Sequence, residues 1–246
     1  PSAAVDNINT SGVTTVISST SATLTFDTKA MSTLATANRG DITITVNRLE
    51  ADNLPENLQN VIGDNPIFEF SAAAGNTTIQ NFNGGTAQVA IPYSLPAGKD
   101  SESIVIYYIN DAGELQVVKN CKYDPVTKSV SFVTDHFSKY AVGSNPTMFD
   151  DVVEGAWYKS AVDFVSAREL FGSISTTQNI FNGNGTMTRA MFATVLARLD
   201  GVDLSTYKTS GFTDIDINSW YGQAVTWAAT KGMVNGVGEG KFDPNS

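Results

Sequence analysis

Hydrophobic and polar positions follow two different periods along this chain, and the change falls near residue 145. Up to there, short stretches rich in Thr, Val and Ile alternate with period two: Val13–Ser18, Ala22–Phe26 and Asp41–Val46 (DITITV). Successive side chains of an extended backbone face opposite sides, so the alternation predicts half-buried strands. Ile67–Ser71 and Gln88–Pro92 read as further strands, with Lys29–Ala37 as one short helix among them. Ser103–Ile109 and Glu114–Lys119 flank Asn110-Asp-Ala-Gly113, a turn composition that predicts a hairpin. Tyr123–Lys128 (YDPVTK) is a second turn, entering Ser129–Thr134 and then Phe137–Val142. Roughly eight short strands with turns between them predict an antiparallel β-sandwich over residues 1–145.

Gly143–Pro146 (GSNP) breaks that pattern, and beyond it the apolar spacing becomes helical. Apolar residues at 157, 158, 161, 162, 164, 165 and 170 suit an amphipathic helix within Trp157–Phe171. Thr188–Leu199 (TRAMFATVLARL) is a second helix, with Thr186 or Thr188 placed to cap it. Trp220–Lys231 repeats the first. Phe149–Val162 reads FDDVVEGAWYKSAV and Phe212–Val225 reads FTDIDINSWYGQAV, 63 positions on (212 − 149 = 63). In both copies Trp-Tyr follows the leading Phe by eight residues and Ala-Val by twelve. Recurrence at a fixed offset marks a repeated supersecondary unit.

Composition narrows the choice of partner. Twenty-five acids against 15 bases give a formal charge of −10, which disfavours nucleic acid and anionic membranes. No run approaches the roughly 20 apolar residues of a membrane-spanning helix. Nothing at Pro1 resembles a signal peptide, and the abrupt start and the stop at Ser246 read as those of an excised piece. The single cysteine, Cys121, excludes an internal disulfide and a Cys-based metal cluster. It reads as a buried small hydrophobe, a nucleophilic role requiring tertiary pairing with His136. Asp214-Ile-Asp216-Ile-Asn218 spaces oxygens as a calcium loop does but lacks its Gly and distant Glu, so it reads as a helix cap and solvated turn. With no phosphate loop or recognisable catalytic frame, no cofactor, metal site or turnover is expected.

The ordered set Phe149, Asp151, Trp157, Tyr158, Ala161, Val162, Gly172, Phe181, Thr188-Arg189-Ala190 resembles the S-layer homology (SLH) module. Its second occurrence is Phe212, Asp214, Trp220, Tyr221, Ala224, Val225, Gly232, Gly236, Phe242-Asp243-Pro244. The expected architecture is therefore mixed: a β-sandwich, a first SLH module over 147–208 and a truncated second over 209–246. Met191 stands where the family commonly has an acid after Thr-Arg-Ala, and the second copy's arginine would fall at position 250 (242 + 8 = 250). The resemblance implies an exported bacterial surface protein, held noncovalently by pyruvylated secondary cell-wall polysaccharide linked to peptidoglycan, with the β domain as spacer. Contact with other copies in a surface lattice is the structural alternative.

In that reading Arg189 meets the acidic group, Thr188 starts the helix that carries it, and Trp157 and Trp220 can stack on sugar faces. Arg189 could instead serve a surface ion pair, and Phe149, Trp157, Ala161, Phe181 and their counterparts could be core. The β region is similar to ZU5-like modules through Ile91–Gly98, Tyr107–Gly113, Asn120–Pro125 and His136–Val142. Some ZU5-type domains cut themselves within His-Phe-Ser. Here His136 could act as base on Ser138, whose hydroxyl would attack the Phe137 carbonyl. The competing reading places Phe137 in the core on the final strand, with His136 and Ser138 on its other face.

Overall fold

The computed structural model describes residues 14–37 and 41–246; Pro1 and Val13 lie outside the described residues. The chain divides into two compact units, one ending at Thr147 and the other spanning Met148–Ser246.

The first unit is built from two antiparallel sheets. In chain order come β1 (Thr15–Ser18), β2 (Thr23–Phe26), helix α1 (Thr28–Ala37), β3 (Ile42–Leu49), helix α2 (Glu56–Ile62), β4 (Ile67–Ala74) and β5 (Thr77–Ile79). There follow β6 (Ala87–Pro92), β7 (Ile104–Ile109), β8 (Leu115–Val117), β9 (Lys122–Asp124), β10 (Ser129–Thr134) and β11 (Lys139–Ser144). One sheet has the order β1-β2-β6-β10-β9 and the other β3-β4-β11-β7-β8. β4 shares one edge between two partners, pairing through Ile67–Glu69 with β11 and through Ala72–Ala74 with β5. The hairpin at 110–113, the helix at 29–37 and, within the described residues, the expected strands up to Thr134 are present. Helix α2 and the three-residue strands β5 and β9 carry too few residues to show a period.

The strand expected from Phe137 begins only at Lys139. β10 belongs to one sheet and β11 to the other, so Asp135–Ser138 is the corner where the chain changes sheets. The corner is packed inward. Phe137 meets Phe26, Phe70 and Phe82 at ring distances of 5.9, 5.8 and 5.1 Å, joining residues of both sheets. Phe132 of β10 and Tyr140 of β11 stack at 4.7 Å across the same interior. The buried Tyr140 hydroxyl pairs with Thr134 Oγ1 at 2.8 Å, and burial pushes its phenol well above the usual value.

The second unit holds α3 (Lys159–Ala167), α4 (Arg189–Asp200) and α5 (Gly222–Thr230), and α3 and α5 are 63 residues apart at both ends. The repetition extends to single backbone torsions. Glu169 and Gly232 both leave their helix with positive φ, 55° and 70°, although only glycine takes that conformation without cost. Asp151 accepts the N–H groups of Phe181 and Asn182 at 2.8 and 2.7 Å, and Asp214 those of Phe242 and Asp243 at 2.8 Å each. Each carboxylate so fastens the end of its loop, and a Phe pair closes beside it: Phe149–Phe181 at 5.1 Å and Phe212–Phe242 at 5.4 Å.

Two outcomes test these contacts. Phe82 is fully buried, so Phe82→Ala should cost about 3–5 kcal/mol in chemical denaturation of the β unit. The backbone N–H donors, foremost those of Phe181 and Phe242, hold Asp151 and Asp214 below the ordinary carboxylate value of about 3.9. A depressed folded value means stabilisation that is complete above the unfolded value and lost as pH falls through the folded one. All three tryptophans (157, 220 and 227) lie in the helical unit. Their fluorescence should therefore report unfolding promoted by acid below about pH 4, with a weaker pH dependence after Asp151→Asn plus Asp214→Asn.

Candidate functional site

Thr188 is the cap of α4: its side chain accepts the Met191 N–H at 3.2 Å. Ahead of it, the N–H groups of Arg189 and Ala190 donate to the carbonyls of Ser246 and Pro244 at 2.9 and 3.0 Å, and the Phe192 N–H donates to Thr188 O at 3.0 Å. The first-turn donors are engaged by the protein itself, so an anion arriving here must be met by a side chain.

That side chain is Arg189. Its Nε donates to Phe242 O at 2.9 Å and its Nη2 to Asn235 O at 2.6 Å. The guanidinium carbon sits 4.3 Å from the centroid of the Phe242 ring. Two of the five donors of an arginine are thus spent on main-chain oxygens of the second copy, which fix the plane of the guanidinium, and three remain for an acceptor. Around it lies a groove of about 510 Å³, bordered by Thr188, Arg189 and Phe192 on one side and Met233, Asn235 and Gly236 on the other. Gly236 tolerates no larger residue: a Cβ there would meet Lys241 O at 2.7 Å and the Phe212 ring at 2.8 Å. The composition of the groove fits an anionic ligand with apolar faces.

Trp157 and Trp220 are 85% and 63% exposed, so neither is a core residue. Each indole stands edge-on against the tyrosine that follows it, at 5.5 and 5.1 Å, which fixes one edge and leaves a face open. Phe149 is buried and Phe181 half-buried, whereas Ala161 is exposed. The physical reason lies in the repeat. Ala224, the counterpart of Ala161, packs with Ala193 and Ala197 of α4. On α3 the corresponding surface opens instead into an apolar groove of about 340 Å³ lined by Trp157, Tyr158, Ala161 and Phe181. The structure brings Thr188 and Arg189 to one groove and places Trp157 on another. Sequence reasoning missed Met233 and Asn235, which belong to no motif, and the Phe242 carbonyl, because a main-chain acceptor leaves no mark on residue type.

In the β unit, His136 Nδ1 lies 2.8 Å from Asp135 Oδ1, and its ring meets Tyr108 edge-on at 5.2 Å. The His136 carbonyl accepts from Thr134 Oγ1 at 2.7 Å and from the Tyr140 hydroxyl at 3.2 Å. Ser138 O accepts the Phe70 N–H at 2.9 Å. The shorter of these bonds, from Thr134, engages the carbonyl one residue before that of Phe137. Cys121 is buried, and its sulfur accepts the Ile106 N–H at 3.3 Å. Asp216 Oδ1 accepts the Asn218 N–H at 2.9 Å, which makes the acidic run a turn before α5. Among the described residues no group of three or more His, Cys, Asp or Glu could hold a metal ion, and no helix is long and apolar enough to cross a membrane.

Residues 211–246 match the family described as S-layer homology domain. The chain is 25% identical over 204 residues (82% of its length) to an amylopullulanase of Thermoanaerobacterium thermosulfurigenes, of which it covers 10%. It is 34% identical over 115 residues (45% of its length) to a cell surface protein of Thermoanaerobacter kivui, of which it covers 15%. It is also 30% identical over 91 residues (37% of its length) to an endo-1,4-beta-xylanase A of Thermoanaerobacterium saccharolyticum, of which it covers 8%. The chain therefore spans a small fraction of the relatives it matches. The first similarity is longer than the 99-residue helical unit (246 − 148 + 1 = 99) and so reaches into the β unit. No solved structure matches the chain. With an S-layer homology domain at 211–246 and a named cell surface protein among its relatives, the chain is an SLH-bearing protein of the bacterial cell surface.

Proposed function

We propose that the groove at Arg189 binds an acidic unit of a secondary cell-wall polysaccharide linked to peptidoglycan, and that the pyruvate ketal of that polymer supplies the carboxylate. The chain in this reading holds its protein at the wall without a covalent bond, and the β unit serves as spacer. The observation that carries the reading is the fixation of Arg189 by the carbonyls of Phe242 and Asn235. Those two bonds hold the guanidinium in one plane before a ligand arrives, so little rotamer entropy is lost on binding. Its open donors suit the two oxygens of a carboxylate. Thr188 holds the start of α4, and hence Arg189, in place. Exposed Trp157 and Trp220 offer apolar faces for sugar rings along the same unit.

Two of the relatives carry the names of enzymes. We assign this chain the anchoring of such a protein and no step of turnover.

Binding to purified cell-wall sacculi tests the assignment. Arg189→Ala should weaken binding by at least about tenfold, the worth of a charge-assisted hydrogen bond, while the tryptophan fluorescence of the folded unit persists. Wild-type binding that survives removal of the pyruvylated polymer would count against the ligand. As a spacer the β unit stays in one piece, so denaturing mass spectrometry should find one species of full-length mass. Two fragments meeting at Phe137 and Ser138 would show cleavage instead.

A further inference from the structure

We propose that the cavity at one end of the β-sandwich, lined by both Asp64 and Lys99, binds a neutral oligosaccharide chain, which gives the β unit a function besides spacing. The site is independent of the Arg189 groove: it uses other residues, in the other unit, and a ligand without charge.

Strands of both sheets meet at this end. β4 and β7 begin here while β6 and β11 end here, and Pro66, Tyr93, Ile104 and Ser144 at those strand ends line a cavity of about 640 Å³. That volume falls within the range of about 300–1,000 Å³ of small-ligand sites. Hydrogen bonds fix its frame. The buried Tyr93 hydroxyl donates to Asn65 Oδ1 at 2.7 Å, and Asn65 Nδ2 donates to Ile62 O, at the end of α2, at 2.6 Å. Asp64 stands in the short loop so held. The Lys99 N–H donates to Pro96 O at 3.1 Å, closing a turn whose third residue, Gly98, takes a φ of 78°. Two local devices thus present a carboxylate and an ammonium to one cavity. Both side chains are exposed, and among the described residues neither has a hydrogen-bonded or ionic partner.

Opposite charges on one cavity select against ions. A ligand with net charge of either sign is attracted by one of the two groups and repelled by the other. A hydroxyl both donates and accepts, so neighbouring hydroxyls of one sugar ring can serve the carboxylate and the ammonium together. Val61, Pro96 and Pro146 are exposed in the same lining and offer apolar surface to the carbon faces of the rings. A peptide lacks its usual purchase here. β4, β6, β7 and β11 all lie inside their sheets, so none is an edge strand to which a peptide main chain could add.

The test uses the isotope-labelled full chain and three probes. Cellopentaose stands for an unsubstituted glucan, chitopentaose for an N-acetylated wall glycan, and tetraalanine for a peptide. Magnetic resonance should find amide shifts at residues 60–65 and 94–99 with at least one of the two sugars, and the one that binds identifies the source. Their affinity should not depend on ionic strength, since the ligand is uncharged. Asp64→Ala plus Lys99→Ala should weaken that binding at least about tenfold, as lost hydrogen bonds to charged groups do. Thermal unfolding should not change, because both side chains are exposed. Arg189→Ala should leave sugar binding at this cavity unaltered, so the two sites stand or fall separately. No shift at these residues with either sugar, a response to tetraalanine alone, or sugar binding that survives the double substitution overturns the proposal.

Discussion

One arginine side chain, held between two main-chain oxygens, sets the geometry of the groove in the helical unit. Arg189 begins the second helix of the first copy, yet its hydrogen bonds and its aromatic contact all lie in the second copy. Removing a charged side chain from water is expensive unless its donors are met. Here two carbonyls meet part of the demand, and the Phe242 ring covers one face. The remaining donors of the guanidinium stay open toward the groove. The groove beside it is lined by residues of both copies.

Two stretches of sequence built on one motif end in different surroundings, because different neighbours pack against them. The alanine face of α5 is covered by α4, and Ala224 and Ala228 are buried there against Ala193 and Ala197. α3 carries the same pattern, but its Ala161 is exposed beside an apolar groove. Within each copy the local devices are identical: an aspartate on two backbone N–H groups, a Phe pair, and a left-handed helix exit. Those devices act over a few residues and fold each unit in the same way. The neighbour decides the rest.

The β unit shows a similar division. Alternation of Thr, Val and Ile placed most strands, since one buried face imposes period two. The sheet to which each strand belongs was not legible: β10 and β11 follow one another closely and pair in different sheets. His136-Phe137-Ser138 lies at the corner that this change of sheet creates, with Phe137 turned into an aromatic cluster drawn from both sheets.

The sequence by itself determined the two-part architecture, the 63-residue repeat and the cap at Thr188, with Arg189 at the start of the helix it caps. All of these rest on short-range rules: side-chain period, capping chemistry and recurrence at a fixed offset. Only the tertiary structure decided which tryptophans are exposed, which alanines are covered, and that the arginine is oriented by the carbonyls of Phe242 and Asn235. Every residue type has the same main-chain carbonyl, and burial depends on what packs opposite. Neither property is written in the identity of the residue that has it.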